Sequence, residues 1–239
     1  MKLSVVVPAL NEAGGIVTAL LPLQPWRNVG HEVIVVDGGS ADDTRERAEP
    51  LADRVLVAPR GRARQMNAGA IVSGGDVLCF LHADTVMPDA GAALILRAVQ
   101  RQGRLWGRFD VRLSGSHRLL RVVERLMNLR SRLTGMATGD QAMFVRRALF
   151  EAVGGFPDIA LMEDIALSRR LKRYGRPACL RVPVATSSRR WEAQGVIRTI
   201  VLMWRLRLAY FLGADPNELA LRYQAWAVRR RPAPSARSG

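Results

Sequence analysis

The sequence predicts an α/β domain built on a mostly parallel sheet. Three observations carry this expectation. Short β-branched runs alternate with helix-like segments through the first half of the chain. The runs are continuously apolar, as strands covered on both faces are. Polar residues gather where the runs end, and ligands of open α/β sheets sit outside the carboxyl ends of strands.

Leu3-Ser-Val-Val-Val7, stopped by Pro8, is the first predicted strand, and residues 12–21 form a helix. Glu32-Val-Ile-Val-Val36 is the second strand, closed by Asp37-Gly-Gly-Ser40. Ser40 suits the N-cap of a helix over 41–51. Val55-Leu-Val57 is a third strand and residues 62–71 a helix. Val77-Leu-Cys-Phe-Leu81 is a fourth strand, ending on His82-Ala-Asp84, and Pro88 opens a helix that runs to about residue 101. The second half is less regular. It reads as a strand over 105–113, an arginine-rich amphipathic helix over 117–133, and a strand over 142–145 after Gly139-Asp-Gln141. Helices follow over 147–153, 163–174 (stopped by Gly175), 194–212 and 216–228. The domain expectation is a catalytic domain over 1–190, a helical extension over 191–228, and a disordered tail over 229–239, rich in Arg, Pro and Ser.

The 239 residues carry a formal charge of +15, and Lys2 and Lys172 are the only lysines. Arginine forks suit phosphates, and a basic surface suits anionic lipid. The arginines are spread along the whole chain without a helix-turn-helix, zinc or aromatic RNA-binding motif, so nucleic acid is not the expected partner. Cys79 and Cys179 lie far apart in apolar runs and read as free thiols in a reducing cytoplasm. No signal-peptide pattern is visible, and Arg198, Arg205 and Arg207 interrupt the apolar stretch 196–212, which therefore does not read as a membrane span.

Five clusters can carry chemistry. Asp37, at a strand end, can accept hydrogen bonds from a base or ribose, or simply stabilise its own turn. Gly61-Arg62-Ala-Arg-Gln65-Met-Asn67 opens a helix, where a phosphate is favoured. Asp84 can hold Mg²⁺ or Mn²⁺ against a diphosphate, or with Thr85 simply cap a turn. Glu163-Asp164 begins a helix, where acids are favoured by the helix dipole, yet Asp164 can also act as a general base. Ser188-Arg189-Arg190-Trp191 is a basic-aromatic group suited to a diphosphate.

Together these pieces resemble the family 2 glycosyltransferases with the GT-A fold. The resemblance rests on Val7-Pro-Ala-Leu-Asn-Glu12, Asp37-Gly-x-Ser-x-Asp42-x-Thr44, His82-Ala-Asp84 and Glu163-Asp164, in that order over about residues 1–190. It implies a nucleotide pocket lined by Pro8, Ala9, Asn11, Glu12, Asp37, Gly38, Arg62, Gln65, Asn67, His82 and Ala83. It implies a divalent metal on Asp84, acceptor or diphosphate contacts from Gly139, Asp140, Gln141, Arg189, Arg190 and Trp191, and catalysis by Asp164 with Glu163. The implied reaction is an inverting, non-processive transfer from a nucleotide-diphospho-sugar, by family analogy a UDP-sugar. One departure is that His82 stands where the usual Asp-x-Asp has its first acid. The Gln-x-x-Arg-Trp box of processive synthases is absent, with Arg189-Arg190-Trp191 a partial echo.

Residues 196–212 carry Trp204, Tyr210 and Phe211 among arginines, which suits either an interfacial membrane helix near a lipid-linked acceptor or an oligomer contact. Two other functions compete. A nucleotidyltransferase needs a Gly-rich, basic loop after the first strand, where this chain has Pro8-Ala-Leu-Asn-Glu12. A basic nucleic-acid-binding module has only the charge in its favour.

Overall fold

The computed structural model describes residues 1–228; the tail expected over 229–239 lies outside the described residues. The strands are β1 (Leu3–Ala9), β2 (Glu32–Asp37), β3 (Arg54–Val57), β4 (Val77–Phe80), β5 (Thr85–Val86), β6 (Trp106–Leu113), β7 (Met143–Arg146) and β8 (Ala178–Thr186). The helices are α1 (Ile16–Leu20), α2 (Gln24–Asn28), α3 (Thr44–Ala48), α4 (Arg62–Val72), α5 (Gly91–Leu96), α6 (Arg118–Thr134), α7 (Arg147–Ala152), α8 (Glu163–Leu171), α9 (Arg189–Gln194), α10 (Val196–Phe211) and α11 (Pro216–Val228).

One sheet takes the order β3-β2-β1-β4-β7-β6-β8-β5. β3, β2, β1 and β4 are parallel, as their continuous apolar runs predict. Alternate β1 residues explain the pattern: Leu3, Val5 and Val7 enter a core on one face, and Val6 enters a second core on the other. α4 lies against β1 so closely that a Cβ on Gly69 would stand 2.4 Å from Val6 Cγ1.

The sheet's second half brings distant segments to one edge. β7 runs antiparallel to β4 with Phe80 opposite Met143, so Gly139–Gln141, just before β7, lie beside His82–Asp84, just after β4. β6 is antiparallel to β7, and β8 is parallel to β6. The residues following β8 therefore emerge at the same edge. That edge carries the carboxyl ends of β1, β2 and β4.

Some elements differ from expectation. β5 and β8 are not anticipated by the sequence pattern. β8 contains Pro183 and pairs with β6 across an irregularity between Phe109 and Asp110, which accommodates the proline. Ser40 does not cap α3. Its hydroxyl is taken by the Asp37 carboxylate and the Asn11 amide, and α3 starts at Thr44. The helix expected from Pro88 begins at Gly91 and loosens into a wider turn over Arg97–Arg101.

The C-terminal helices do not stand apart. Leu206 of α10 and Leu219 of α11 pack with Met162 and Ile165, the two residues that flank Glu163-Asp164.

Candidate active site

The pocket edge begins with the loops after β1 and β2. Asn11, at φ +52°, donates its amide to Ser40 Oγ and accepts from the Ala41 amide, both at 2.8 Å. The Glu12 amide donates to Thr44 Oγ1 at 2.8 Å. Asp37 is 1% exposed; Oδ2 accepts from the amides of Gly39 and Ser40, and Oδ1 from the Ser40 hydroxyl. The Gln65 amide donates to the carbonyls of Ala9 and Val36, each at 2.8 Å, tying together the ends of β1 and β2. Gly38 stacks over Gln65, whose side chain would lie 3.1 Å from an added Cβ. Asn67 uses both ends of its amide on the backbone of Phe156.

These contacts sort the residues expected at the nucleotide. Asn11, Asp37, Gln65 and Asn67 spend their side chains on neighbouring loops and strands. They fix the pocket's shape. Pro8 and Ala9 are buried in β1, in register with Val36 and Asp37.

The β4 end meets the β7 entry. His82 Nδ1 lies 3.3 Å from Asp140 Oδ1, and Nε2 presses on Gly139, where a Cβ would stand 2.2 Å away. Both ring nitrogens are thus directed at the β7 entry and away from Asp84. Ala83 is buried in the core. The Asp84 carbonyl accepts from the Ser187 amide at 3.1 Å, joining the β4 end to the β8 end. Gln141 is buried in a capping box with Thr138, a structural position.

Arg189, the first residue of α9, donates from Nη2 to Glu12 Oε2 at 2.8 Å. That bond, followed by the Asp84 carboxylate's field, raises the Arg189 pKa. Trp191 packs on the core. The Arg190 side chain lies outside the described residues.

α8 supplies the acids. Met162 precedes it at φ +71°, a left-handed conformation that costs a non-glycine residue free energy. Among the described residues, the other non-glycine positive-φ positions are Asn11 and Ala142, so all three border this edge. Asp164 Oδ2 accepts from the Gly139 amide at 2.8 Å, and Oδ1 from the Ile165 amide at 2.7 Å. Glu163 is 5% exposed. Burial pushes its carboxyl up to about 7, the Asp164 carboxylate adds to the rise, and Arg62 opposes it. Arg62, the first residue of α4, is exposed to solvent while protein crowds around its guanidinium. Burial works against its charge, but Glu163, Asp140 and Asp164 raise its pKa.

The arrangement is a cleft with a shaped loop floor, a strand-end carboxylate beside an arginine, and two acids at a helix start. A sequence profile described as "Glycosyl transferase family 2" matches residues 4–153. The chain belongs to glycosyltransferase family 2.

Individual relatives and solved structures agree. The chain is 26% identical to "Probable glycosyltransferase YdaM" of Bacillus subtilis (strain 168) over 262 residues, covering 96% of this chain and 59% of that protein. The chain thus spans little more than half the length of that relative. S. aureus TarS 1–349 superposes with a TM-score of 0.66 at 19% identity, covering 84% of this chain and 66% of that one. Glucosyl-3-phosphoglycerate synthase from Mycobacterium tuberculosis, crystallised with Mn²⁺, UDP and glucosyl-3-phosphoglycerate, gives 0.58 at 22% identity, covering 77% and 70%. The fold of this family 2 chain is the GT-A fold that the sequence resemblance implies.

Among the described residues, no group of three or more His, Cys, Asp or Glu is clustered to enclose a metal. A single carboxylate still suits Mg²⁺ or Mn²⁺, which are commonly held by one or two carboxylates plus substrate phosphates. Asp84 fits that mode, and His82, turned to Asp140, does not join it.

Three side chains at the site escape sequence reasoning. Arg130 of α6 and Arg207 of α10 both feel the fields of Asp164 and Asp140. Tyr223 of α11 acts on Arg62. Each comes from a helix whose pattern gives no site signal, and nothing local in the sequence marks it.

Proposed function

We propose that the chain transfers a glycosyl group from a nucleotide-diphospho-sugar to an acceptor hydroxyl, with inversion and without processivity, and that Asp164 is the general base. The observation that carries this is the placement of Asp164 beside the strand-end loops, with one oxygen held by the Gly139 amide. Each carboxylate oxygen has two lone-pair directions, so each keeps one for an incoming O–H.

The donor would sit along the edge formed by Asn11–Glu12, Asp37–Ser40 and His82–Asp84. UDP is the nucleotide we favour, because the relatives of the same fold include TarS crystallised with UDP-GlcNAc or UDP and a synthase crystallised with UDP. The Asp37 loop would present its backbone to the base. Arg62 and Arg189 would face the diphosphate. Asp84 would hold a divalent metal, which when bound neutralises charge on the departing diphosphate. Asp164 would take the acceptor proton as the acceptor oxygen bonds to the anomeric carbon, and the bond to the diphosphate breaks. Glu163, its carboxyl pushed up to about 7 chiefly by burial, directly precedes Asp164 in the proposed site.

We also read the outer face as a contact with anionic membrane. α10 exposes Ile197, Val201, Trp204, Leu208 and Phe211, and α6 exposes Leu119, Val122, Leu126, Leu129 and Leu133. Both series follow a three-four spacing, so each is one stripe along its helix. Exposed Arg125, Arg198 and Arg205 supply complementary charge. No described helix is long and apolar enough to cross a membrane. On this reading the chain works in the cytoplasm at the inner face of the membrane, near a lipid-linked acceptor. Formation of a homo-oligomer through the same stripes is the competing reading.

Activity assays on Asp164→Asn with retained nucleotide binding test the base assignment. Full turnover by that variant would remove it.

A further inference from the structure

A cavity of about 450 Å³ opens between α6 and α10, next to the acids of α8. Its lining includes Arg130 and Leu133 from α6, Arg207 and Phe211 from α10, and Ile165 and Lys172. Ile165 directly follows Asp164, and the Asp164 carboxylate acts on both Arg130 and Arg207 through its field.

Two of its three cations keep unused donors. Arg130 Nε and Nη2 and Arg207 Nε are buried with no hydrogen-bond partner. Lys172 is different, because its ammonium donates to the Thr134 carbonyl at 2.5 Å. Buried guanidinium donors normally find acceptors, and an unmatched one weakens the fold. The two arginines also oppose each other. Burial pushes Arg130 down to about 10, and Arg207 is the next contributor to that fall. Burial lowers Arg207 as well. The Asp164 and Asp140 carboxylates offset part of this charge, yet the pair keeps N–H groups to which no anion is hydrogen-bonded, a fork pair open to one more anion.

The walls are apolar. Leu133 and Phe211 line the cavity, and they also close the exposed stripes of their helices at 71% and 52% exposure. An occupant that places charge between the arginines therefore meets hydrocarbon on its way out.

We propose that this cavity is the acceptor subsite, and that the acceptor is an anionic amphiphile whose phosphate or carboxylate seats between Arg130 and Arg207. The apolar part lies along Leu133 and Phe211, and a hydroxyl reaches Asp164. In the transfer the acceptor O–H proton goes to the Asp164 carboxylate and the oxygen bonds to the anomeric carbon. The bond from that carbon to the diphosphate breaks, and its electron pair leaves with the nucleoside diphosphate. The word acceptor rests on Asp164 being the base; the anion site does not.

The test uses the full chain with its donor site filled by UDP and Mn²⁺. Inorganic phosphate and dodecyl phosphate, below its micelle concentration, are titrated by calorimetry into wild type, Arg130→Gln, Arg207→Gln and the double variant. Phosphate binding falls about tenfold for each arginine removed. UDP affinity stays as in wild type, which shows that the variants are folded. Dodecyl phosphate binds wild type more tightly than inorganic phosphate does, and Leu133→Ser with Phe211→Ser removes that gain. Unchanged phosphate affinity in the double variant would overturn the anion site. Equal affinity for the two phosphates would overturn its apolar half. Asp164→Asn removes a negative charge that both arginines feel, so it binds both probes no more weakly than wild type whether or not Asp164 is the base, and failure of that assignment reads separately in turnover.

Discussion

Arg189 and Glu12, 177 positions apart in the chain, meet at 2.8 Å. The bond links the start of α9, which follows β8, to the loop that follows β1, and it brings Arg189 under the field of Asp84. Because Arg189 is largely exposed, the pair contributes little to folding, about 0–1 kcal/mol. In the proposed site its value is to hold a guanidinium where the diphosphate would sit. Arg189→Ala should therefore leave the unfolding temperature nearly unchanged while weakening UDP binding about tenfold. Thermal unfolding and calorimetry on the same variant measure both, and undiminished UDP affinity would take Arg189 out of the donor site.

Gly139 serves two partners at once. Its amide orients Asp164, and its bare Cα admits the His82 ring. A methyl group there would stand 2.2 Å from Nε2, so one of the two must move. Gly139→Ala should lower kcat about a hundredfold through misplacement of the base, with UDP affinity retained. Wild-type turnover in that variant would show that the Gly139 contact does not position the base.

The Glu163 carboxyl gives a pH signature in stability. Its pKa rises on folding from 4.5 to about 7. The folded chain therefore holds this proton more tightly than the unfolded chain. That stabilising contribution is complete below 4.5 and is lost as pH rises through about 7. Glu163→Gln keeps the neutral form at every pH. Relative to wild type it should gain about 1–3 kcal/mol between pH 4.5 and pH 8. Denaturant unfolding across that range measures the difference, and a gap that does not change with pH would contradict the raised pKa.

Much of the site was legible because it sits at the ends of β1, β2 and β4, whose β-branched runs announce themselves. The order Asn11–Glu12, Asp37, Asp84 then follows from a parallel sheet. What polar residues do there was less legible. Asn67 looks like a ligand in sequence, but both ends of its amide serve the Phe156 backbone, 89 positions on. Gln65 is similar, clamping two strand ends. A side chain that satisfies distant backbone carries no local mark. β8 was missed because its proline and mixed exposure break both strand patterns, and only the irregular pairing with β6 makes room for it. In sequence Arg130 is one arginine of an amphipathic helix and Arg207 one that interrupts an apolar stretch, since their meeting depends on how α6 and α10 pack.

The exposed stripes of α6 and α10 predict a surface partner. Trp204→Ser, at a position 67% exposed, should reduce sedimentation with vesicles containing anionic lipid about tenfold and leave the unfolding temperature unchanged. Neutral vesicles should bind weakly in either case. If wild type instead forms a dimer that Trp204→Ser dissociates, with no vesicle binding, a second copy covers this face.

The central claim is that Asp164 removes the acceptor proton. The direct measurement is turnover of Asp164→Asn with a nucleotide-sugar donor, alongside calorimetry with UDP and Mn²⁺. The kcat of Asp164→Asn should fall about a thousandfold with UDP affinity within about twofold of wild type, because Asn keeps the Gly139 contact and cannot accept the proton. Wild-type turnover by Asp164→Asn would show that another group takes the proton.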